Sequence, residues 1–404
     1  MILHHEKPQL KRVLVVGTFM HQLGHYSTFP HDLANGFFLN GAEVTLIAPL
    51  KPAQETPANI PYRFICLEEE TPTRNPIAKK VWELLRHSPI LLALVWIAFK
   101  TQPNDYELVY WTDFKADNQQ STWILAFAQW LGIYRHNTAF TEHYEFSWKK
   151  HRLQRLLKMD RLRLRKIQFI THSKELLKWT QLNMRWPEKG IYIPWGLWPI
   201  QDEKIDRPTA RSRLEIANNS RVLLVFGVQA IVRKNIGVLA EAIDAMELPT
   251  PLTIVFAGPR TATEEAHPFD KPTLKSKPNL TVIRNEGFIE NKTADLYFTA
   301  ADGVWAYYRN FIGASGVLCQ AMAHGRLSIC AKNAECGAPA SDYRISLMPS
   351  NTSIEELKGT LFEFLQMCPE KQSAYEASAR IAAEDLAWPR ITKKIIECTT
   401  TTNS

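Results

Sequence analysis

The sequence predicts an α/β protein with two doubly wound parallel sheets, one in each half of the chain. Three observations carry this. Short β-branched runs alternate with helical patterns throughout, several of those runs end in glycine, and 404 residues exceed one ordinary core, suggesting two domains of roughly 200 each. With 45% hydrophobic and 22% charged residues, the composition excludes wholesale disorder.

The first half opens with "RVLVVG", a buried parallel strand closed by Gly17. "TFMHQLGHYSTFP" reads as a loop, "HDLANGFFLNG" as a helix through Leu39 with a Gly41 stop, and Val44 to Ile47 as the next strand. "YELVYW", "NTAFTEH" and "IQFITHS" repeat the strand signal, separated by helical pattern. The segment from Trp198 to Thr209, rich in proline and charge, is the linker candidate. Beyond it "RVLLVFG", "LTIVFAG", "LTVIRNEG", "ADGVWAYY" and "RLSICAK" read as strands. Helices are expected over Asn235–Met246, Thr293–Ala300 and Gly316–His324. These are two Rossmann-like halves. Open α/β sheets bind ligands at the carboxyl ends of their strands, so a cleft between the domains is the expected site.

The six cysteines, at 66, 319, 330, 336, 368 and 398, show no metal-ligand spacing and read as reduced thiols of a cytosolic protein. The polar start, Met1 to Arg12, does not read as a signal peptide. The apolar run from Pro89 to Phe99 falls short of the ~20 residues of a membrane span and reads as a buried helix. Net charge is +7, yet residues 148–166 alone hold nine Lys/Arg against one Asp, which leaves the remainder near neutral.

Several motifs, in order, resemble a known family. "TEHYEF", "THSKELL", "IPWG", "FGVQAIVRKNIGVLAEAI", "FAGP", "EGFIENKTADLYFTAAD", "SGVLCQAMAHGRLSI" and "AWPRITKKII" together resemble the GT-B glycosyltransferases, above all family 4, which use nucleotide-sugars with retention. The resemblance implies an N-terminal acceptor domain over 1–199 and a donor domain over 200–384. A final helix within 385–404 would return to the first domain.

The resemblance also assigns residues. Lys234 matches the family lysine that grips the leaving diphosphate, with Arg233 beside it; a solvated helix start is the alternative for both. Gly313, Ala314, Ser315 and Gly316 would offer backbone amides to the diphosphate, or form an ordinary strand-to-helix turn. Two family glutamates, eight positions apart, correspond to Ile312 and Gln320, and the family arginine after the strand glycine corresponds to Val228. Gln320 can still accept a ribose hydroxyl through its amide oxygen. His143 matches a family histidine that faces the donor sugar, or only caps its own loop; Glu142 beside it and Glu335 after the last donor-side strand are candidate sugar contacts, with exposed loop carboxylates the equal reading. Gly24 lies in the first βα loop, near donor and acceptor, where backbone geometry alone is the other reading.

The expected activity is therefore transfer of a sugar from a nucleotide-sugar, base unspecified, to a glycan, lipid-linked or other acceptor, with no metal and no separate cofactor. A non-catalytic nucleotide- or glycan-binding module is the alternative, motivated by Ile312 and Val228. The basic helix 148–166 suits an anionic membrane surface first, plain solvation second and nucleic acid last, since only Trp148 could stack on a base there. A cytoplasmic protein, peripheral on the inner face of a membrane, is the matching location.

Overall fold

A computed structural model describes residues 11–22, 25–54, 56–57, 59–69, 88–112, 128–129, 134–142, 167–183, 190–200, 205–260, 266–308, 311, 314–332, 337–350 and 353–400. The chain divides into two compact units: unit 1, Met1–Trp195 with Trp388–Ser404, and unit 2, Gly196–Ala387.

Unit 1 runs β1 (Arg12–Val16), α1 (His25–Leu39), β2 (Glu43–Ala48), β3 (Arg63–Cys66), α2 (Pro89–Lys100), β4 (Leu108–Trp111), β5 (Thr138–Glu142), β6 (Ile167–Thr171), α3 (Lys174–Asn183) and β7 (Gly190–Tyr192). The seven strands form one parallel sheet in the order β3-β2-β1-β4-β5-β6-β7. Strands β1 and β4 are buried on both faces apart from Arg12, which explains their unbroken apolar runs. Helix α2 buries Ile90, Leu92, Ala93, Leu94, Trp96 and Ile97 in the core beside β1 and β4, while Phe99 is exposed.

Helix α1 begins earlier than its sequence suggested. It starts at His25 and carries Pro30 inside it, where a loop was expected through Pro30. The apolar stripe Phe29, Leu33, Phe37 continues across the proline and is fully buried. Each such side chain contributes about 1.5–3 kcal/mol, enough to offset the backbone bond that proline removes.

Unit 2 runs α4 (Arg207–Arg213), β8 (Arg221–Phe226), α5 (Ile236–Asp244), β9 (Leu252–Ala257), α6 (Pro272–Lys275), β10 (Leu280–Asn285), α7 (Asn291–Ala300) and β11 (Gly303–Ala306). It continues with α8 (Gly316–Ala323), β12 (Leu327–Cys330), α9 (Gly337–Asp342), β13 (Ser346–Leu347), α10 (Ile354–Leu365) and α11 (Pro369–Asp385). Its sheet is parallel, in the order β10-β9-β8-β11-β12-β13. Short strands β3, β7 and β13 carry too few residues to show a period and were not legible in sequence.

The linker candidate is in part structured. Asp206 caps α4 by accepting from the Thr209 N–H at 2.8 Å, and Arg211 is buried against Asp302. Proline and charge in that stretch belong to a helix start, with Pro208 in the first turn.

Helix α12 (Trp388–Thr400) belongs to unit 1 and packs on α1. Asn40 Nδ2 donates to the Pro389 carbonyl at 2.7 Å, and a Cβ on Gly36 would lie 2.8 Å from Thr392 Cγ2. Trp195 and Trp388, where the chain leaves and re-enters this unit, both pack on Phe29, with ring centroids 4.5 and 5.5 Å away.

Candidate functional site

The strand order of unit 2 reverses between β8 and β11, and open parallel sheets bind ligands beyond the carboxyl ends of strands at such a switch. The chain after β8 carries Lys234. The chain after β11 leads into α8.

Two glycines allow the strand ends to meet. Gly227 follows β8 with φ +79°, and Gly258 follows β9 with φ +136°. A Cβ on Gly258 would stand 2.6 Å from the Gly227 carbonyl oxygen, so only glycine fits this approach. Gln229 extends the contact, its N–H donating to Pro259 O at 2.9 Å and its Nε2 to Gly258 O at 2.8 Å.

The loop then folds over. The Lys234 N–H donates to Ala230 O at 2.9 Å, Trp305 Nε1 donates to Lys234 O at 2.8 Å, and Asn235 takes a left-handed φ of 50° before α5. Held this way, the Lys234 side chain runs back to the end of β8, where Nζ donates to the Phe226 carbonyl. Lys234 is 2% exposed, which rules out the solvated helix start for it. Arg233 is exposed, so the two adjacent cations part. Among the described residues no carboxylate pairs with Lys234. Burial, and secondarily the charge of Arg233, lower its pKa to about 7.

Helix α8 supplies the other half. Ser315 is its N-cap, accepting from the Leu318 N–H at 3.1 Å and donating to Tyr308 OH at 3.2 Å. Its hydroxyl is committed to the cap. The amides of Gly316 and Val317, in the first turn, have no intrahelical acceptor. Gly316 is exposed, and a Cβ there would meet nothing within 4 Å, so its side of the first turn is uncovered among the described residues. Ala314 is half-buried beside it. A Cβ on Gly227 would lie 3.7 Å from Lys234 Nζ and 4.0 Å from Val317 Cγ2, which places the lysine beside the first turn of α8. A buried lysine amine with no carboxylate partner among the described residues, next to a positive helix terminus, is an arrangement suited to an anion.

Gln320 is exposed on α8. Val228 is 45% exposed and apolar, at the position where the family resemblance implied an arginine. Gly24, His143, Ile312, Gly313, Glu335 and the basic segment 148–166 lie outside the described residues. Glu142 closes β5 opposite Thr171, and its side chain is also outside the description.

Two further residues had no sequence signal. Tyr307, just past β11, is 1% exposed with no hydrogen-bond partner for its hydroxyl among the described residues, and its ring lies 5.1 Å from Trp305. Burial raises its pKa. Thr18, just past Gly17 in unit 1, is buried, and its hydroxyl likewise has no partner among the described residues. An aromatic or a threonine at a strand end reads as core, so neither stands out in a linear pattern. Among the described residues no group of three or more His, Cys, Asp and Glu side chains could hold a metal ion.

No family profile matches the chain, and no curated protein matches it in sequence. Solved structures do match. Anabaena HepE in complex with UDP superposes with a TM-score of 0.69 at 15% identity, covering 97% of this chain and 100% of that one. WaaG, a glycosyltransferase involved in lipopolysaccharide biosynthesis, gives 0.61 at 15% identity, over 96% of this chain and 99% of its own. Sucrose-phosphate synthase from Thermosynechococcus elongatus gives 0.63 at 14% identity, over 97% and 99%. The likeness shows the fold: two parallel sheets with helices, the two Rossmann-like domains of GT-B glycosyltransferases.

Proposed function

We propose that this protein is a glycosyltransferase that moves a sugar from a nucleotide-sugar donor to an acceptor, in the manner of family 4, with retention. The observation that carries the reading is the buried Lys234 Nζ, with no carboxylate partner among the described residues, beside the first turn of α8. A leaving diphosphate supplies the missing counter-charge. Its growing negative charge falls on Lys234 and the α8 amides instead of on a metal. Gln320, exposed on α8, takes a ribose hydroxyl, and Arg233 adds positive charge at the mouth of the site. The solved structures support the reading, since HepE is described with UDP and with UDP-glucose.

The remaining assignments rest on the sequence. His143, with Glu142, faces the donor sugar, and Gly24 and Glu335 border it. The acceptor is a glycan or lipid-linked molecule, and the basic segment 148–166 holds the enzyme to an anionic leaflet. No helix among the described residues is long and apolar enough to cross a membrane. Liposome co-sedimentation tests that part: preference for anionic over neutral vesicles is expected, and equal partitioning removes it.

Thermal shift against a panel of nucleotide-sugars, followed by mass detection of released nucleoside diphosphate, tests the main reading. Binding and turnover are expected, and failure to bind any member sinks it. A second reading, a non-catalytic nucleotide-binding module, is favoured by the apolar Val228 in place of a cation. Binding without turnover across a broad acceptor panel would select it.

A further inference from the structure

The surroundings of Lys234 Nζ have a consequence for how the site loads. From β8 they present the Phe226 carbonyl and Gly227, both uncharged. From the loop after β8 comes Arg233, a cation. The chain around β11 contributes Trp305, through its indole bond to Lys234 O, and the residues that follow, Tyr307 and Tyr308, bring no carboxylate. Helix α8 contributes Val317 and the positive end of its dipole, with no acidic residue in its first turn. Every charge named here repels an ammonium. Its single described acceptor is a neutral carbonyl, and the side chain is almost wholly buried. An ammonium so placed is stable only when an anion joins it.

We infer that binding of a diphosphate at this site takes up one proton, onto Lys234 Nζ, so that the empty site carries a neutral amine and the loaded site an ammonium. The inference rests on the reading of this pocket as the donor-phosphate site and adds its regulation. The proton comes from solvent, and the amine lone pair forms the new N–H bond. The ammonium then donates to a phosphate oxygen while keeping its bond to Phe226 O. Loading is thereby favoured by acid and release by base. The direction of the Lys234 shift, caused by burial and Arg233, agrees with this.

Isothermal titration calorimetry of the full chain with UDP-glucose, GDP-mannose and ADP-glucose in turn tests it. The diphosphate of these diesters keeps its charge across neutral pH, so the probe itself does not titrate. At about pH 8, heats in Tris and HEPES should differ by the uptake of close to one proton, and Kd should rise up to tenfold per pH unit above the Lys234 midpoint. Lys234→Arg, which cannot lose its charge, should bind with no uptake and a flat pH profile. Binding with equal heats in both buffers and a flat Kd overturns the inference and leaves the site reading intact. Uptake that persists in Lys234→Arg also overturns it, because the proton then lands elsewhere. Absence of binding by all three donors removes the site reading and the inference together. Should Lys234→Arg fail to fold, the buffer and pH series on the unaltered protein decides alone.

Discussion

Trp305 donates its indole N–H to the backbone carbonyl of Lys234 at 2.8 Å, across 71 positions of sequence. That single bond ties the loop after β8 to the strand that leads into α8. It fixes where the lysine side chain starts. Trp305→Phe keeps the ring and removes the bond, leaving a buried carbonyl unpaired. Donor affinity should fall about three- to tenfold, with about 1 kcal/mol lost in urea denaturation. Unchanged affinity with lowered stability would assign the tryptophan to packing alone.

Lys234 itself should trade stability for binding. A lysine whose folded pKa lies below its unfolded value destabilises the fold below both values, and the cost disappears as pH rises from about 7 toward 10.5. Lys234→Met should therefore raise stability at neutral pH by on the order of 1–3 kcal/mol, read as a higher Tm, and the gain should shrink in alkaline buffer. The same variant should lose nucleotide-sugar binding by at least about tenfold. Calorimetric melting over a pH series, together with titration of the donor, checks both halves.

Gln320 stands where the family resemblance implied a glutamate, and it is exposed on α8. A charged acceptor makes roughly twice as strong a hydrogen bond to a hydroxyl as an amide does. Gln320→Glu should tighten a ribonucleotide-sugar several-fold and leave the 2′,3′-dideoxy analogue unaffected. Equal effects on both donors would show that this side chain does not meet the ribose.

Beneath the site, a buried ionic network anchors α4 and α11 to the start of the sheet. Arg211 Nη2 lies 2.6 Å from Asp302 Oδ2, which also accepts from the Val222 N–H at 2.8 Å. Arg207 Nη2 lies 2.6 Å from Glu376 Oε1. Asp302→Ala strands a buried guanidinium and should cost about 3–5 kcal/mol, read as a lowered urea midpoint.

Glu376 makes that network acid-sensitive. Burial alone would raise its pKa, yet Arg207, Gln372 and Arg326 outweigh burial and lower it from 4.5. Its contribution is present above the unfolded value and disappears as pH falls through the folded one. The unaltered protein should lose stability below about pH 4.5 more steeply than Glu376→Gln does, as acid unfolding followed by circular dichroism would show.

A strict tight contact gives a last test. Gly258 has φ +136°, and its missing side chain would collide with the Gly227 carbonyl. Gly258→Ala should destabilise unit 2 by about 1–3 kcal/mol and weaken donor binding, because the Lys234 loop starts at that carbonyl. A variant with native Tm and native affinity would contradict the geometry.

The two parallel sheets and most of their strands were legible along the chain, because burial on both faces demands unbroken β-branched runs and glycine marks where several of those runs stop. The sequence by itself also determined the loop-to-helix step at Ser315 and Gly316, whose small residues and following apolar period are local signals. Tertiary structure alone decided what Lys234 is. In the linear pattern it is one cation beside another; in the fold it is buried and Arg233 is exposed. Tertiary structure also carried α1 back through Pro30 and turned part of the expected linker into a capped helix. The physical reason is common to all three. Desolvation, counter-charge and apolar burial depend on partners such as Trp305, Val317 and Asp302, which are distant along the chain and meet these residues only once the sheet has formed.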